Sequence, residues 1–266
     1  MWRGRSGSFF GQSLKNEPHS LFLRAKRAID ISYKKTTKMT IKYYGHSCFG
    51  IEIGDHNLLF DPFISGNSLA SDIKIDEIPC DFMLISHGHF DHIGDAEAIA
   101  KRTNCTVICA LEIGDWLEKK GVQNIHRTNI GGSAKFDFGR VKSVTAQHSS
   151  CLPDGSYGGA AMGFVVDSTE GCFYFAGDTA LTLDMQLIPM ICPPLGFAIL
   201  PLGDLVTMDY ADAVVAADFI QCDTIIGCHF DTWKPLEIDH DAAKKAFEAE
   251  NKTLILTKIG GELQWG

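Results

Sequence analysis

The chain has 266 residues, of which 45% are hydrophobic, and this is enough apolar material for one large domain with a full core. No apolar run reaches the ~18 residues that a membrane-spanning helix needs, so we expect no membrane partner. The formal net charge is -9, and because the phosphates of long nucleic acids require a basic surface, we expect no nucleic-acid partner either.

The basic residues are concentrated at the N-terminus. Residues 1–40 contain nine Lys and Arg and two acidic residues, a charge of +7, whereas the remainder has 15 basic and 31 acidic residues, a charge of -16. We therefore predict a basic N-terminal extension outside the fold at residues 1–39, followed by one domain at 40–266. An upstream start codon, with Met39 as the functional start, explains such an extension. An organellar transit peptide and a nucleic-acid arm are the alternatives.

From Thr40 onward, short strands and helices alternate and are separated by brief turns rich in Gly, Asp and Asn. The first strands are predicted at 41–43, 48–53 and 58–60, with a hairpin turn at 54–57. Later strands are predicted at 82–85, 105–109, 134–147, 162–167, 172–176, 196–200, 224–228 and 253–257. Helices are predicted at 96–102, 112–120, 184–190, 210–219 and 241–249.

The most informative segment is Ser86-His87-Gly88-His89-Phe90-Asp91-His92, which has three imidazoles and a carboxylate within six residues. It follows the apolar run 82–85, so we expect it to be the loop at the carboxyl end of a buried strand, where α/β sheets usually bind ligands. There, His87 and His89 can face one ion while Asp91 and His92 reach a neighbouring point. Imidazole nitrogens and carboxylate oxygens are ligands that zinc accepts. The segment therefore predicts a metal site, with a solvated histidine-rich loop as the structural alternative.

Three later residues lie at the ends of predicted strands and can complete such a site. They are His148, Asp178 and His229. Each of them alone is typical of a hydrogen-bonded cap or turn. Together with the first segment they form a full set of metal ligands.

These motifs resemble the metallo-β-lactamase superfamily of hydrolases, and the resemblance runs from about Tyr43 to the C-terminus. Further segments are similar to an uncharacterised branch of metal-dependent hydrolases, itself similar to ascorbate-6-phosphate lactonase. These segments are Tyr44-Gly45-His46-Ser47-Cys48-Phe49, Asp61-Pro62-Phe63-Ile64-Ser65-Gly66-Asn67, Tyr157-Gly158-Gly159, Pro201-Leu202-Gly203-Asp204 and His229-Phe230-Asp231-Thr232-Trp233.

The resemblance implies an α/β fold, the four-layer αββα metallo-β-lactamase-like sandwich, with metals at one edge of two mixed sheets. It implies two divalent ions, zinc first, with manganese or iron as alternatives. The first ion would be held by His87, His89 and His148, and the second by Asp91, His92 and His229. Asp178 would bridge the two ions, and Asp91 and Asp178 would be the catalytic carboxylates.

Two departures from other branches of the superfamily narrow the expected chemistry. True β-lactamases lack the bridging aspartate, so Asp178 makes antibiotic hydrolysis unexpected. Redox members that hold two irons replace the second histidine of the motif with Glu, whereas this chain has His89. A hydrolytic site is favoured.

Four other residues have roles that the sequence leaves open. Asp61 either orients a ligating histidine or forms a turn before Pro62. His46 either faces the metals or is a hydrogen-bonded structural histidine. Thr207 and Trp233 are candidates to line the substrate cavity by their position in the family pattern, and ordinary packing is the alternative for Trp233.

The nine cysteines are scattered without C-x-x-C pairs, which indicates reduced thiols in a reducing compartment. We therefore expect a cytoplasmic protein, or an organellar one if the basic N-terminus is a transit peptide. Cys228 beside His229 and Cys151 near His148 leave a soft metal ligand open as an alternative.

The function predicted from the sequence is hydrolysis of a small lactone, ester or phosphodiester by a hydroxide that two metal ions generate. The partner would be a small-molecule substrate. A metal-binding sensor or scaffold without turnover is one alternative. A tRNA-processing nuclease of the same superfamily is another, but the acidic domain has no inserted basic arm that could grip a folded RNA.

Overall fold

The structure is a computed structural model and describes residues 38–266. Two seven-stranded mixed sheets form its centre. The strands of the first sheet, in chain order, are β1 (Met39–Gly45), β2 (Cys48–Ile53), β3 (His56–Phe60), β4 (Phe82–Leu84), β5 (Thr106–Ala110), β6 (Ile125–Thr128) and, at the end of the chain, β14 (Glu262–Trp265). Their spatial order is β14-β1-β2-β3-β4-β5-β6.

The second sheet is formed by the middle of the chain. Its strands are β7 (Ser133–Phe136), β8 (Gly139–Thr145), β9 (Met162–Ser168), β10 (Gly171–Phe175), β11 (Phe197–Pro201), β12 (Thr224–Cys228) and β13 (Thr253–Ile255). Their spatial order is the reverse of the chain order, from β13 to β7. β10 to β13 are parallel to one another, whereas β7 to β10 form an antiparallel meander.

Six α-helices complete the described part of the chain. They are α1 (Phe90–Ile93), α2 (Ala96–Thr103), α3 (Leu111–Lys119), α4 (Ile188–Ile191), α5 (Tyr210–Phe219) and α6 (His240–Ala249). Short 3-10 helices lie at Ser68–Ala70, Ile75–Glu77, Leu183–Leu187 and Lys234–Leu236. No helix within residues 38–266 is long and apolar enough to cross a membrane.

The largest core lies between the sheets, where aromatic rings from both meet. The ring of Phe60 in β3 lies 4.9 Å from that of Phe175 and 5.9 Å from that of Phe173, both in β10. A second core lies between the other face of the second sheet and helices α5 and α6, around Tyr174 and Phe247. The expected αββα sandwich is therefore confirmed, because each sheet buries one face against the other sheet and one against helices.

Several predicted elements differ from the structure. The predicted helix 184–190 is a 3-10 helix that continues into α4, where Pro189 in the first turn lacks the N–H of a continuous helix. The predicted strand 134–147 is divided into β7 and β8 by a turn, and the hairpin turn at 54–57 is shorter because β3 begins at His56. Asp91 and His92 lie on α1 rather than in a loop.

The strands β6 and β14 were not predicted. Both are edge strands of the first sheet, and neither contains a buried residue. Met39, which we placed in the extension, is the buried first residue of β1. Residues 1–37 lie outside the described residues, so the predicted extension and the alternatives for it stay predictions.

Candidate metal centre

Side chains that could bind metal ions lie side by side at the carboxyl ends of strands from both sheets and form two main groups. The first group is His87, His89 and His148, whose ligand atoms lie within 4.8 Å of one another. His87 Nε2 and His89 Nδ1 are 3.0 Å apart. The second group meets the same distance criterion and consists of His46, Asp91, His92 and His229. A third group, Asp61 with His87 and His92, overlaps both.

Asp178 lies between the two groups. Its Oδ2 is 3.9 Å from His87 Nε2 and 3.7 Å from His148 Nε2, both in the first group. The same oxygen is 3.1 Å from His92 Nε2 and 3.0 Å from His229 Nε2, both in the second group. A single buried carboxylate oxygen therefore faces imidazoles of both groups, which is the geometry that a bridging ligand requires.

The backbone is strained at three of the residues that surround this centre. His46 has φ 54°, Asp61 has φ 41° and His229 has φ 54°. Side chains other than glycine rarely adopt such angles, and residues that do so cluster at functional sites. Each of the three follows a strand directly, so the left-handed residue turns the chain sharply at the sheet edge.

The centre contains buried polar atoms that lack hydrogen-bond partners. These atoms are His92 Nε2, both ring nitrogens of His229 and Asp178 Oδ1. His92 Nε2 and His229 Nε2 have only ion-pair contacts, the shortest with Asp178 Oδ2 at 3.1 and 3.0 Å, whereas His229 Nδ1 and Asp178 Oδ1 have no partner of either kind. A buried polar group without a partner costs about 1–3 kcal/mol, so several of them in one place indicate a missing partner. The donor set of imidazole and carboxylate fits a divalent ion of the zinc, manganese or iron type.

Protonated histidines balance the carboxylates when no metal is bound. Burial opposes the charged form of His92, but Asp178 and Asp61 hold its pKa well above the usual value. Burial likewise opposes the charged form of His229, yet Asp178 and then Asp91 raise its pKa to about 9. The pKa of Asp178 is held well below its usual value by these two histidines, against the effect of burial. A metal ion would therefore displace protons from His92 and His229.

Asp61 orients two of the candidate ligands. Its carboxylate accepts hydrogen bonds from the Ser86 backbone N–H at 2.7 Å, from Ser86 Oγ at 2.5 Å and from His92 Nδ1 at 2.8 Å. Ser86 Oγ lies 2.9 Å from His87 Nδ1. Asp61 therefore holds His92 directly and His87 through Ser86, and the Nε2 atoms of both rings are left to face the centre. The structure thus shows the contact that is required if Asp61 orients a candidate histidine ligand.

His46 holds the carboxylate of Asp91. Its Nε2 lies 3.0 Å from Asp91 Oδ2, and its Nδ1 lies 2.8 Å from Thr232 Oγ1. Burial lowers the pKa of His46 to about 4, so the ring is neutral and donates one N–H, to Asp91. Nδ1 then accepts from the Thr232 hydroxyl. The sequence left open whether His46 faces the metals or is a hydrogen-bonded structural histidine. The structure shows features of both, because the ring lies within the second group of potential ligands and also has two hydrogen-bond partners.

The centre opens into a cavity of about 560 Å³. Trp233 lines this cavity, and its ring contacts that of His46 edge-on, with centroids 5.0 Å apart. Thr207 is not among the residues that line the cavity, and its hydroxyl donates a hydrogen bond to the Met208 carbonyl at 3.2 Å. The neighbouring Leu205 and Val206 line the cavity instead. Neither residue was predicted from the sequence, and the family pattern around Thr207 was the nearest signal.

The two cysteines considered as soft ligands do not belong to either group. Cys228 is buried, and burial raises the pKa of its thiol well above the usual value, so it stays protonated. Cys151 is exposed. All nine cysteines lie within the described residues and are free.

Comparison with known proteins identifies the family. Residues 56–230 match the family model described as the β-lactamase superfamily domain. The chain belongs to the metallo-β-lactamase superfamily. Its relatives include a UPF0173 metal-dependent hydrolase from Methylacidiphilum infernorum, 50% identical over 83% of this chain and 97% of the relative. Another such hydrolase, from Bacillus subtilis, is 40% identical over 77% of this chain and 91% of the relative.

Solved structures show the same fold. A metallo hydrolase from the archaeon Ignicoccus hospitalis superposes with a TM-score of 0.78 at 30% identity, over 86% of this chain and 99% of that one. The isothiocyanate hydrolase from Delia radicum gut bacteria has a TM-score of 0.69 at 16% identity, over 85% of this chain and 98% of that one, and shows the fold alone. The finer resemblance to ascorbate-6-phosphate lactonase stays a prediction.

Proposed function

We propose that this metal-dependent hydrolase holds two divalent ions and cleaves a small-molecule ester, lactone or phosphodiester. The observation that carries the proposal is the position of Asp178 Oδ2, 3.0 to 3.9 Å from imidazole nitrogens of both ligand groups. A single tetrahedral ion uses four ligands. The seven side chains of the predicted set exceed that number, and their division into two groups with a shared carboxylate suits two ions.

Each side chain of the site has a defined role in this proposal. His87, His89 and His148 would hold the first ion, and Asp91, His92 and His229 the second, with Asp178 contacting both. When bound, such a pair of ions lowers the pKa of a water to near neutrality and polarises the bond that the water attacks. We take zinc as the first choice, and manganese or iron as ions that the same donors accept.

The protein supplies charge balance and fixed orientation. The carboxylates of Asp91 and Asp178 offset the charge of two dications in a site where Asp178 is only 2% exposed. Asp61 and His46 fix the ligands, so that little reorganisation is needed during the reaction. Hydrolysis adds a hydroxyl group to the carbon or phosphorus atom and a proton to the leaving oxygen, and the cavity beside His89 and His148 gives the substrate access to this point.

The proposal includes the partner and the compartment. The cavity is of the size that small-molecule sites usually have, about 300–1,000 Å³, which supports a small-molecule substrate. The nine free cysteines support a reducing compartment, and we propose the cytoplasm.

Metal content and a substrate panel test the proposal together. We expect purified protein reconstituted with zinc or manganese to bind close to two ions per chain, measured by plasma mass spectrometry. It should hydrolyse at least one of an ester, a lactone and a phosphodiester, and a chelator should abolish the activity. One tightly bound ion with no second would contradict the dinuclear site. Two ions without turnover on any bond type would favour the sensor alternative.

A further inference from the structure

The cavity at the candidate metal centre is lined mainly by apolar residues, apart from the candidate ligands. Outside the candidate ligands, its lining consists of one polar residue, Ser149, and six apolar ones, Phe90, Leu205, Val206, Trp233, Pro235 and Leu236. No Lys or Arg of residues 38–266 is among the residues that line it. The polar groups are therefore concentrated at the metal end, and the remainder of the cavity offers apolar contacts only.

A strained turn presents two of these apolar side chains. Asp204 and Leu205 have φ 57° and 54°, and the Asp204 carbonyl accepts a hydrogen bond from the N–H of Thr207 at 3.1 Å. Leu205 is 71% exposed and Val206 is 50% exposed. A leucine in the left-handed region costs free energy, and with 71% of its surface exposed Leu205 gains little burial in the free protein. Its strained, exposed position makes it a candidate for contact with an apolar ligand.

Two other lining residues are aromatic. Phe90 is 57% exposed and Trp233 is 38% exposed, and their ring centroids lie 6.1 Å apart. Both rings pack on Phe63, with centroids 5.7 and 6.1 Å away. Phe63 is itself buried. The two exposed rings are therefore supported from behind, which is typical of a preformed apolar wall.

We propose that the substrate is an uncharged ester or lactone with a hydrophobic group, and that Leu205, Val206, Phe90 and Trp233 bind this group. The inference rests on the proposed hydrolytic function and narrows it. Two metal ions can bind the oxygens of the scissile phosphate themselves, so the choice of an uncharged substrate rests on the apolar lining of the remaining cavity. A charged group away from the scissile bond would meet no Arg or Lys there. Lys234 is the basic residue next to Trp233 in the chain, but it is exposed and does not line the cavity.

The reaction then follows from the position of the ester group. With its apolar part on the wall, the carbonyl carbon lies toward Asp91 and Asp178, which line the same cavity. The acyl carbon–oxygen bond breaks, the carbon takes the hydroxyl of water, and the leaving oxygen takes the proton. No oxidant or further reactant is needed.

Chain length of the substrate provides a quantitative test. Full burial of one CH₂ group strengthens binding about fourfold, and half burial in an open cavity about twofold. p-Nitrophenyl hexanoate has four more CH₂ groups than p-nitrophenyl acetate. At about twofold for each half-buried group, kcat/KM should be roughly 15-fold higher for the hexanoate. γ-Decalactone should exceed γ-butyrolactone in the same way. Bis(p-nitrophenyl) phosphate, which is anionic, should be the poorest substrate of the panel.

Two matched leucines allow a control. Leu205→Asn should reduce the ratio of kcat/KM for hexanoate over acetate at least threefold, because it removes apolar surface from the wall. Leu183→Asn should leave this ratio unchanged, because Leu183 is equally exposed, at 70%, but lies outside the cavity. Binding of the uncharged fluorophore N-phenyl-1-naphthylamine to the metal-loaded protein, followed by its fluorescence, should be weakened by Leu205→Asn and not by Leu183→Asn.

The two measurements separate the inference from the function on which it rests. If no panel compound is hydrolysed but fluorophore binding depends on Leu205, the apolar ligand site is supported and the hydrolytic function fails. If bis(p-nitrophenyl) phosphate is the best substrate, or if the chain-length ratio is flat and unaffected by Leu205→Asn, hydrolysis stands and the inference is overturned. If the two leucine variants change fluorophore binding equally, the wall is not the binding site and the inference is overturned as well.

Discussion

Asp178→Asn is the substitution that tests the two-metal site most directly. Asparagine keeps the shape of the side chain but removes the charge that faces imidazoles of both groups. The size of the effect can be taken from His229, whose pKa is raised from 6.5 to about 9 mainly by Asp178 and then by Asp91. This shift corresponds to a proton affinity raised roughly 300-fold. Burial opposes this shift and Asp91 supplies part of it, so we expect the affinity for the second dication to fall by about the same factor when Asp178 is replaced.

The loss should be visible in three measurements. Plasma mass spectrometry should find close to one ion per chain instead of two after gel filtration. Turnover should fall about 1,000-fold, which corresponds to roughly 4 kcal/mol of activation free energy. In the metal-free protein, NMR titration should show the pKa of His229 returning from about 9 toward its usual value, because the carboxylate that stabilises the imidazolium is gone. Circular dichroism should show an unchanged fold.

Asp154→Asn is the matched control. Asp154 is an exposed turn residue whose carboxylate accepts hydrogen bonds from Trp116 Nε1 at 2.9 Å and from Ser156. Its replacement should change neither metal content nor rate. Retention of two ions and of wild-type turnover in Asp178→Asn would refute the bridging assignment, and the two-metal site would have to be abandoned.

Four further predictions concern metal affinity, stability and the N-terminal segment. Asp61→Ala should weaken metal binding about 10- to 100-fold, measured by competition with a chromophoric chelator, because His92 loses its orienting partner; unchanged affinity would show that Asp61 only forms a turn. Metal affinity should rise with pH from 6.5 up to about 9, because a metal ion must displace the proton that metal-free His229 keeps up to about pH 9, by up to about tenfold per pH unit for each proton displaced. Between pH 6.5 and about 9 the metal-free protein should also lose stability, measured by urea unfolding. A histidine with a raised pKa in the folded state stabilises the fold fully below pH 6.5 and no longer above about 9. A free energy of unfolding that does not change over this range would contradict the assignment of the proton to His229. Deletion of residues 1–38 should leave folding and metal content intact, because every strand and candidate ligand of the described domain lies at or after Met39, and a truncated protein that precipitates or loses metal would contradict this.

The residues that converge at the candidate metal centre could be predicted from the sequence because they have strong local signals. His87 to His92 follow a short apolar run, and the later ligands each follow a strand-like segment. The carboxyl ends of neighbouring parallel strands meet at one edge of a sheet, so residues that directly follow such strands lie close together. The grouping of these residues into two sites came from the family resemblance, since spacing along the chain does not state which strands are neighbours.

The elements that were missed depend on contacts distant in sequence. In β14, half-buried and exposed residues alternate, and the strand is defined by its pairing with β1, more than 200 residues away in the chain. The cavity wall formed by Leu205 and Val206 is a turn, and its position over the metal centre depends on the packing of the sheets. Neither hydrophobic periodicity nor turn chemistry contains that information.

A glycine next to the candidate metal centre also depends on contacts between loops of the two sheets, which sequence patterns do not contain. Gly177 precedes Asp178 and has φ 62°, and a Cβ placed on it would lie 2.6 Å from Cβ of Ser86. Ser86 precedes His87, so the loops that carry Asp178 and His87 meet at this contact. A larger residue at position 177 would be strained by its positive φ and would displace the Ser86 side chain, which holds Asp61 and His87. Gly177-Asp178 after one sheet and Ser86-His87 after the other therefore each combine a small residue at a close approach with a candidate ligand beside it.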